Sequence, residues 1–245
     1  MAITIKGKTS IKNKGIVTDG LVFYVDAANE NSYPGSGTTW TDLIDKKEGT
    51  LEPTNGPTYD SGDGGSIVFD GADDMVDFGG GVLNLGTQDM TISSWVKLTS
   101  NPSGYVTVVC KAYASSGNRY FMGANSSREV TSLLAGSSVK ISEGSTALSL
   151  DTWHFITGVW DRSGNVSIYV DGTADTVSNA DISALDGENI SHSSIRFRIG
   201  SYAANNKVSP LLLWPGNIAT TMLYFRTLSS TEILQNYNAL KNRFI

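Results

Sequence analysis

A single cysteine, Cys110, occurs in 245 residues, so no disulfide can close within the chain. It lies in the apolar run Val106-Thr107-Val108-Val109-Cys110 and reads as a small buried hydrophobe. Histidines are nearly as scarce, and neither His154 nor His192 stands in a sequence relation to the cysteine that marks a thiol nucleophile. No hydrophobic run approaches the roughly 20 residues needed to span a bilayer. The opening MAITIKGKTSIKNKGIVTDG lacks the apolar core of a secretory signal, so synthesis in a cytosol is expected and the sequons at Asn125, Asn165 and Asn189 carry little weight. Cations are outnumbered: 18 Lys and Arg face 24 Asp and Glu, giving a net charge of −6 and a pI near 4.9. That balance argues against nucleic acid as the main partner, because neutralising phosphates takes a basic face. With only 6 prolines, and 26 glycines scattered as turn residues, collagen-like and low-complexity readings fail.

What the chain does contain is short strands separated by Gly, Asn, Asp and Ser turns. Leu21 to Asp26, Ser66 to Asp70, Met75 to Phe78 and Met90 to Lys97 read as strands, as do runs at 105–112, 119–123, 129–135 and 138–142. Trp153 to Trp160 and Val166 to Val170 flank Asp161-Arg162-Ser163-Gly164-Asn165, which predicts a hairpin; Gly71-Ala72-Asp73-Asp74 predicts another between residues 66 and 78. The one convincing helix lies at the end. Ile218, Thr220, Met222 and Tyr224 alternate with Ala219, Thr221, Leu223 and Phe225, and the strand then runs into Ser229, with Glu232 completing a capping box. Ile233, Leu234, Tyr237 and Leu240 follow at helical spacing, with Lys241 and Arg243 placed to suit the helix dipole. The pattern predicts an all-β, two-sheet antiparallel sandwich over residues 20–245 with a short C-terminal helix. Residues 1–19 form a separate basic arm. Lys6, Lys8, Lys12 and Lys14 stand against Asp19 alone, and Ile3, Ile5, Ile11 and Ile16 are spaced among them. The arm is either a solvated tail or a segment that orders on an acidic partner surface.

Three segments carry a family signature: SIVFDGADDMVDFG (66–79), DTWHFITGVWDRSGNVSIYVDG (151–172) and GNIATTMLYFRTLSSTEILQNYN (216–238). Together with GLVFYVDAANENSYPGSGTTWTDL (20–43), they resemble the laminin-G-like branch of the concanavalin A-like lectin/glucanase superfamily. The resemblance implies a jelly-roll of two curved antiparallel sheets, with the Asp70-Gly71 and Asp171-Gly172 pairs as turns. Trp95, Trp153 and Trp160 then pack across or beside the sandwich, and the terminal helix caps an open edge or end. The opening segment is also similar to virion structural proteins of tailed phages. This implies a decoration protein made in the host cytoplasm, docked on other virion proteins through the arm and exposed on the particle surface. It leaves room for a homo-oligomer, although no coiled-coil heptads are present. The alternative is an adhesion module that binds a host or environmental glycan. Neither reading involves membrane insertion.

Glucanases of the superfamily carry two glutamates as E-x-D-x-x-E. No such triplet exists among Glu30, Glu48, Glu52, Glu129, Glu143, Glu188 and Glu232, and nearly all of these are expected in loops or at strand ends, so no enzyme activity is expected. His154 is expected to be a structural histidine, since no G-x-S-x-G elbow offers it a serine. Asp70, Asp73 and Asp74, with Asp77 beyond them, could offer calcium the carboxylate oxygens it prefers, or could simply bond turn amides. For a glycan, Tyr202, Asn205, Asn206 and Trp214 form the best local cluster of an aromatic platform and polar donors. The alternative puts Trp214 in the core and uses the asparagines to turn the chain.

Overall fold

The computed structural model describes residues 15–53, 56–112, 117–178, 180–203 and 210–245. Two antiparallel sheets face each other. The eight-stranded sheet runs, edge to edge, through Thr173–Ala174, Val166–Val170, Trp153–Trp160, Met90–Leu98, Pro215–Tyr224, Ser66–Asp70 and Thr58–Asp60, and Leu21–Asp26 also pairs with Pro215–Tyr224. The nine-stranded sheet runs through Thr176–Ser178, Val139–Ala147, Glu129–Ala135, Arg119–Ala124, Val106–Lys111, Arg196–Ile199, Met75–Gly80, Glu48–Glu52 and Thr39–Thr41. A small ribbon pairs Tyr202–Ala203 with Pro210–Leu211.

The expected hairpin at 151–172 is present: Trp160 pairs with Val166 and Ile156 with Val170. The next turn is tighter still. Val170 pairs with Thr173, and both central residues, Asp171 and Gly172, have positive φ (52° and 79°), as a two-residue type I′ turn requires. The other expected hairpin is not one. Ser66–Asp70 belongs to the eight-stranded sheet and Met75–Gly80 to the nine-stranded sheet, so residues 71–74 cross between the layers. Alternation looks the same on either side of an arch and of a hairpin, because it reports faces and not partners.

The main core lies between the sheets and includes Phe23, Val25, Phe69, Ile92, Val96, Ile156, Trp160, Phe197, Trp214 and Leu223. A second cluster lies on the outer face of the eight-stranded sheet: Val17, Trp95, Trp153, Phe155, Ala219, Met222, Tyr224 and Ile233. The central strands Met90–Leu98 and Pro215–Tyr224 are therefore buried on both faces. Ser94 bonds to Thr221 across them at 3.0 Å, and Ser93 accepts from Thr157 of the neighbouring strand Trp153–Trp160 at 2.9 Å, which offsets the desolvation cost of placing these hydroxyls there. A register shift between Ile218 and Thr220 breaks the strict alternation expected of the last strand. Ile218 joins Leu223 in the main core, while Ala219, Met222 and Tyr224 face outward.

The helix Ser230–Leu240 lies on the outer face of the eight-stranded sheet and reaches its edge strand Thr173–Ala174. Ile233 is buried and Tyr237 half-buried in that cluster, while Leu234, expected to pack with them, is exposed. The chain end closes the same surface. Trp95 stacks on Tyr237 (5.6 Å, 19°) and on Phe244 (4.3 Å, 23°). Arg243 is spent on an ion pair with Asp26 at 2.9 Å, not on the helix dipole. Residues 15–19 lie against the same helix. The Val17 N–H donates to Asn236 Oδ1 (2.8 Å), the Asn236 amide donates to the Tyr224 hydroxyl (3.1 Å), and that hydroxyl donates back to the Val17 carbonyl (2.9 Å).

The capping box forms as expected. The Ser229 N–H donates to Glu232 Oε2 at 2.8 Å, and the Glu232 N–H donates to Ser229 Oγ at 3.4 Å. Arg226 adds a 2.7 Å bond to Glu232 Oε1, and this bond with the capping amide holds the carboxyl down to about 2 from 4.5. A depressed carboxylate stabilises the fold above its unfolded value and loses that contribution as pH falls through its folded one. Glu232→Gln is therefore expected to lower stability by roughly 1 kcal/mol at pH 7. In urea titrations the difference from wild type should close as pH falls from 4.5 towards 2.

Candidate functional site

His154 is fully engaged. Its Nδ1 lies 2.9 Å from Asp171 Oδ2, and its Nε2 accepts the Ser149 N–H at 3.1 Å. Because Nε2 accepts, the ring proton sits on Nδ1 and is given to Asp171, whose other oxygen takes the Phe155 N–H at 2.8 Å. The histidine pins the 149–155 turn to the hairpin tip at Asp171. Cys110 is likewise buried, its Sγ 3.2 Å from the Ser201 carbonyl, and burial pushes the thiol up to about 12.

The crossover turn brings Asp70, Asp73 and Asp74 together, with oxygens all within 4.8 Å of one another. Asp70 Oδ1 accepts the Ala72 N–H (2.8 Å), and Asp74 Oδ2 accepts the Asp70 N–H (2.8 Å). Burial, reinforced by the neighbouring carboxylates, raises Asp74 to about 6. The donor set is all oxygen and fits a hard divalent cation, yet part of it already closes the turn. Asp77 lies apart from this group. It accepts from Arg196 Nε at 2.5 Å and Arg198 Nε at 3.0 Å and is committed to those guanidinium groups.

Of the four residues expected to form a glycan platform, the two that the structure describes, Tyr202 and Trp214, separate. Trp214 is wholly buried in the main core, its backbone N–H donating to the Gly200 carbonyl at 2.9 Å, so its ring presents no face to a sugar. Asn205 and Asn206 lie outside the described residues. Tyr202 is half-buried and lines a cavity that the sequence did not reveal.

That site lies on the outer face of the nine-stranded sheet. Phe121, Leu133 and Ile141 stand side by side on adjacent strands, since Leu133 pairs with both Phe121 and Ile141. Residues one position away, Tyr120, Met122 and Leu134, point into the core, which places this row outward. Tyr202 meets Phe121 edge to face at 6.3 Å and 71°. Leu211 and Leu212 of the ribbon and Tyr105 before the Val106–Lys111 strand complete a cavity of about 290 Å³. Eight large apolar side chains are exposed among the described residues, and four of them, Tyr105, Ile141, Leu211 and Leu212, line this one cavity. Leu212 is held at φ 49° while its carbonyl accepts the Thr107 N–H at 2.7 Å. A non-glycine residue in that region costs about 1–3 kcal/mol, a strain that clusters at binding sites.

A polar group borders the cleft at Tyr105. The Tyr105 hydroxyl donates to Glu143 (3.4 Å), and the Asn125 amide donates to Glu129 (2.9 Å) and Glu143 (3.4 Å). Glu143 sits in mid-strand, whereas Glu48, Glu52 and Glu129 lie at strand ends and Glu30 and Glu188 outside the strands, as expected. A second cavity of about 340 Å³, lined by Asp70, Ser100, Asn101, Ser103 and Gly104 among others, shares Tyr105 and Leu212 with the first.

No curated protein matches the sequence. Among solved structures, the fold is similar to a mutant Trypanosoma rangeli sialidase displaying trans-sialidase activity (TM-score 0.66, 17% identity, 94% of this chain and 34% of that one). It is also similar to the binding domain of Paraclostridial Mosquitocidal Protein 1 (TM-score 0.67, 17% identity, 91% of this chain and 53% of that one). Domain 4 of AbnA, a GH43 extracellular arabinanase from Geobacillus stearothermophilus solved with arabinotriose, gives a TM-score of 0.62 at 14% identity, over 89% of this chain and 98% of that one. The chain spans about a third of the length of the sialidases it matches. Residues 70–234 match the Laminin_G_3 model, described as concanavalin A-like lectin/glucanases superfamily. The match covers well over half of the chain and falls on the two facing sheets, and the chain belongs to the Laminin_G_3 family of the concanavalin A-like lectin/glucanases superfamily.

Proposed function

We propose that the chain is a binding module that takes a glycan-bearing ligand in the cleft on the outer face of its nine-stranded sheet and does not turn it over. The observation that carries this reading is the gathering of exposed apolar and aromatic side chains at one concave place, beside the Asn125, Glu129 and Glu143 polar group. The Tyr105 ring at the border supplies a flat apolar surface that a sugar's C–H face covers, and the polar groups around it supply hydrogen bonds. The similar fold solved with arabinotriose, and the similar toxin binding domain, support a binding role for this architecture.

A second observation favours docking on a particle. Residues 1–14 carry Lys6, Lys8, Lys12 and Lys14 and no acidic residue, a charge suited to an acidic protein surface. They lead into Gly15, whose carbonyl accepts from Gln235 at 2.8 Å, on the outer face of the eight-stranded sheet. Gly15, where the segment joins the fold, and the cleft lie on opposite faces of the sandwich. We infer a decoration protein of a tailed-phage virion, exposed on the particle and holding other virion proteins through this segment.

Two measurements test these readings. On a glycan array, read with and without calcium because of the Asp70, Asp73 and Asp74 turn, specific binding is expected to fall about tenfold in Tyr105→Ala, the loss of one aromatic contact worth roughly 1.4 kcal/mol. Equal binding by the variant would remove the cleft from the account. Deleting residues 2–14, which spares the buried Val17, is expected to leave the melting temperature unchanged and abolish co-purification with particles; retained association would contradict the docking role.

A further inference from the structure

The cleft's two chambers differ in chemistry and share a wall. Phe121, Leu133, Ile141 and Leu211 make the surface of the first mostly apolar, with Arg119 and Thr131 as its polar lining beside the two tyrosines, and its 290 Å³ is small for a binding site. Ser100, Asn101, Ser103 and Asp70 make the second polar. Tyr105 and Leu212 line both, so one ligand can occupy the two at once. A sugar placed in the first chamber would surrender water from hydroxyls that meet few partners there, a net cost. An alkyl or aryl group there gains by leaving water, about fourfold in affinity per buried methylene. In the second chamber the order reverses: hydroxyls find serine, asparagine, carboxylate and backbone partners, and a hydrocarbon would strip water from them.

Resting on the reading of this cleft as a glycan site, we propose that its ligand is an amphiphilic glycoside. The sugar lies against Ser100, Asn101, Ser103 and Asp70, and its apolar aglycone extends past Tyr105 and Leu212 onto Phe121, Leu133 and Ile141. The exposed Leu212, fixed in a left-handed conformation at the junction, positions the glycosidic bond between the chambers.

The test is calorimetry on the full chain with methyl, butyl and octyl β-glycosides of glucose, galactose, mannose and N-acetylglucosamine, kept below micelle formation, with 1-octanol as the sugar-free control. For at least one sugar, the octyl glycoside is expected to bind roughly 30-fold or more tightly than the methyl glycoside. The gain should vanish in Ile141→Ser and Leu211→Ser, which change surface residues 40% and 42% exposed and leave the core intact. Equal affinity for methyl and octyl forms would overturn the amphiphile and leave the glycan site standing. Octanol binding as tightly as the octyl glycosides would overturn both, as would no binding across the panel. A gain that survives in both serine variants would place the alkyl chain elsewhere and overturn the proposal.

Discussion

Trp95 is held between the rings of Tyr237 and Phe244 on the outer face of the eight-stranded sheet, and the layout of the molecule follows from that contact. A tryptophan on the middle strand of a sheet must be covered, and full burial of a large apolar side chain is worth about 1.5–3 kcal/mol. The cover comes from the far end of the chain: the capped helix, the turn after it and Phe244. The start of the described chain is drawn into the same surface, with Val17 fastened by the buried Asn236 and Tyr224. Both ends of the fold are thus spent on one sheet. Among the described residues the outer face of the other sheet carries only the small cluster of Cys110, Ala112 and Phe121 with Tyr202 packed on it, and four of the exposed apolar side chains collect beside it.

This division accounts for the contrast between the residues that looked chemical in the sequence and those that line the cleft. His154, Cys110, Asp77 and Trp214 are all consumed by structure, through a turn, a buried cluster, an ion pair with Arg196 and Arg198, and the core. Tyr105, Phe121, Leu133, Ile141 and Leu211 carry no titratable chemistry apart from the Tyr105 hydroxyl, yet they make the open surface. A concave apolar surface with a polar border suits binding more than bond-breaking.

The sandwich, the 151–172 hairpin and the capped helix were legible because each rests on local pattern: alternation, the polar turn Asp161-Arg162-Ser163-Gly164-Asn165, and a serine three residues before a glutamate. What escaped depended on distant partners. The arch at 71–74 alternates as a hairpin does, and only the sheet assignments of Ser66–Asp70 and Met75–Gly80 separate them. The bulge at Ile218 to Thr220 leaves no mark in composition. The cleft joins residues 105, 121, 133, 141, 202 and 211, whose spacing carries no motif. One signal was available: Phe121, Leu133 and Ile141 fall on the strand face opposite the core residues Tyr120, Met122 and Leu134, and an outward apolar row on adjacent strands is uncommon unless something covers it.

The central claim is that the uncovered outer face of the nine-stranded sheet is the ligand face. Its most direct test is amide chemical-shift mapping of the labelled protein, titrated with whichever saccharide it binds. The account predicts shifts confined to the cleft, around Ser100, Asn101, Tyr105 and Leu212 and reaching Phe121, Leu133 and Ile141 when the saccharide carries an apolar aglycone, with the amides of the terminal helix Ser230–Leu240 unmoved. Shifts centred on that helix, with the cleft silent, would contradict it.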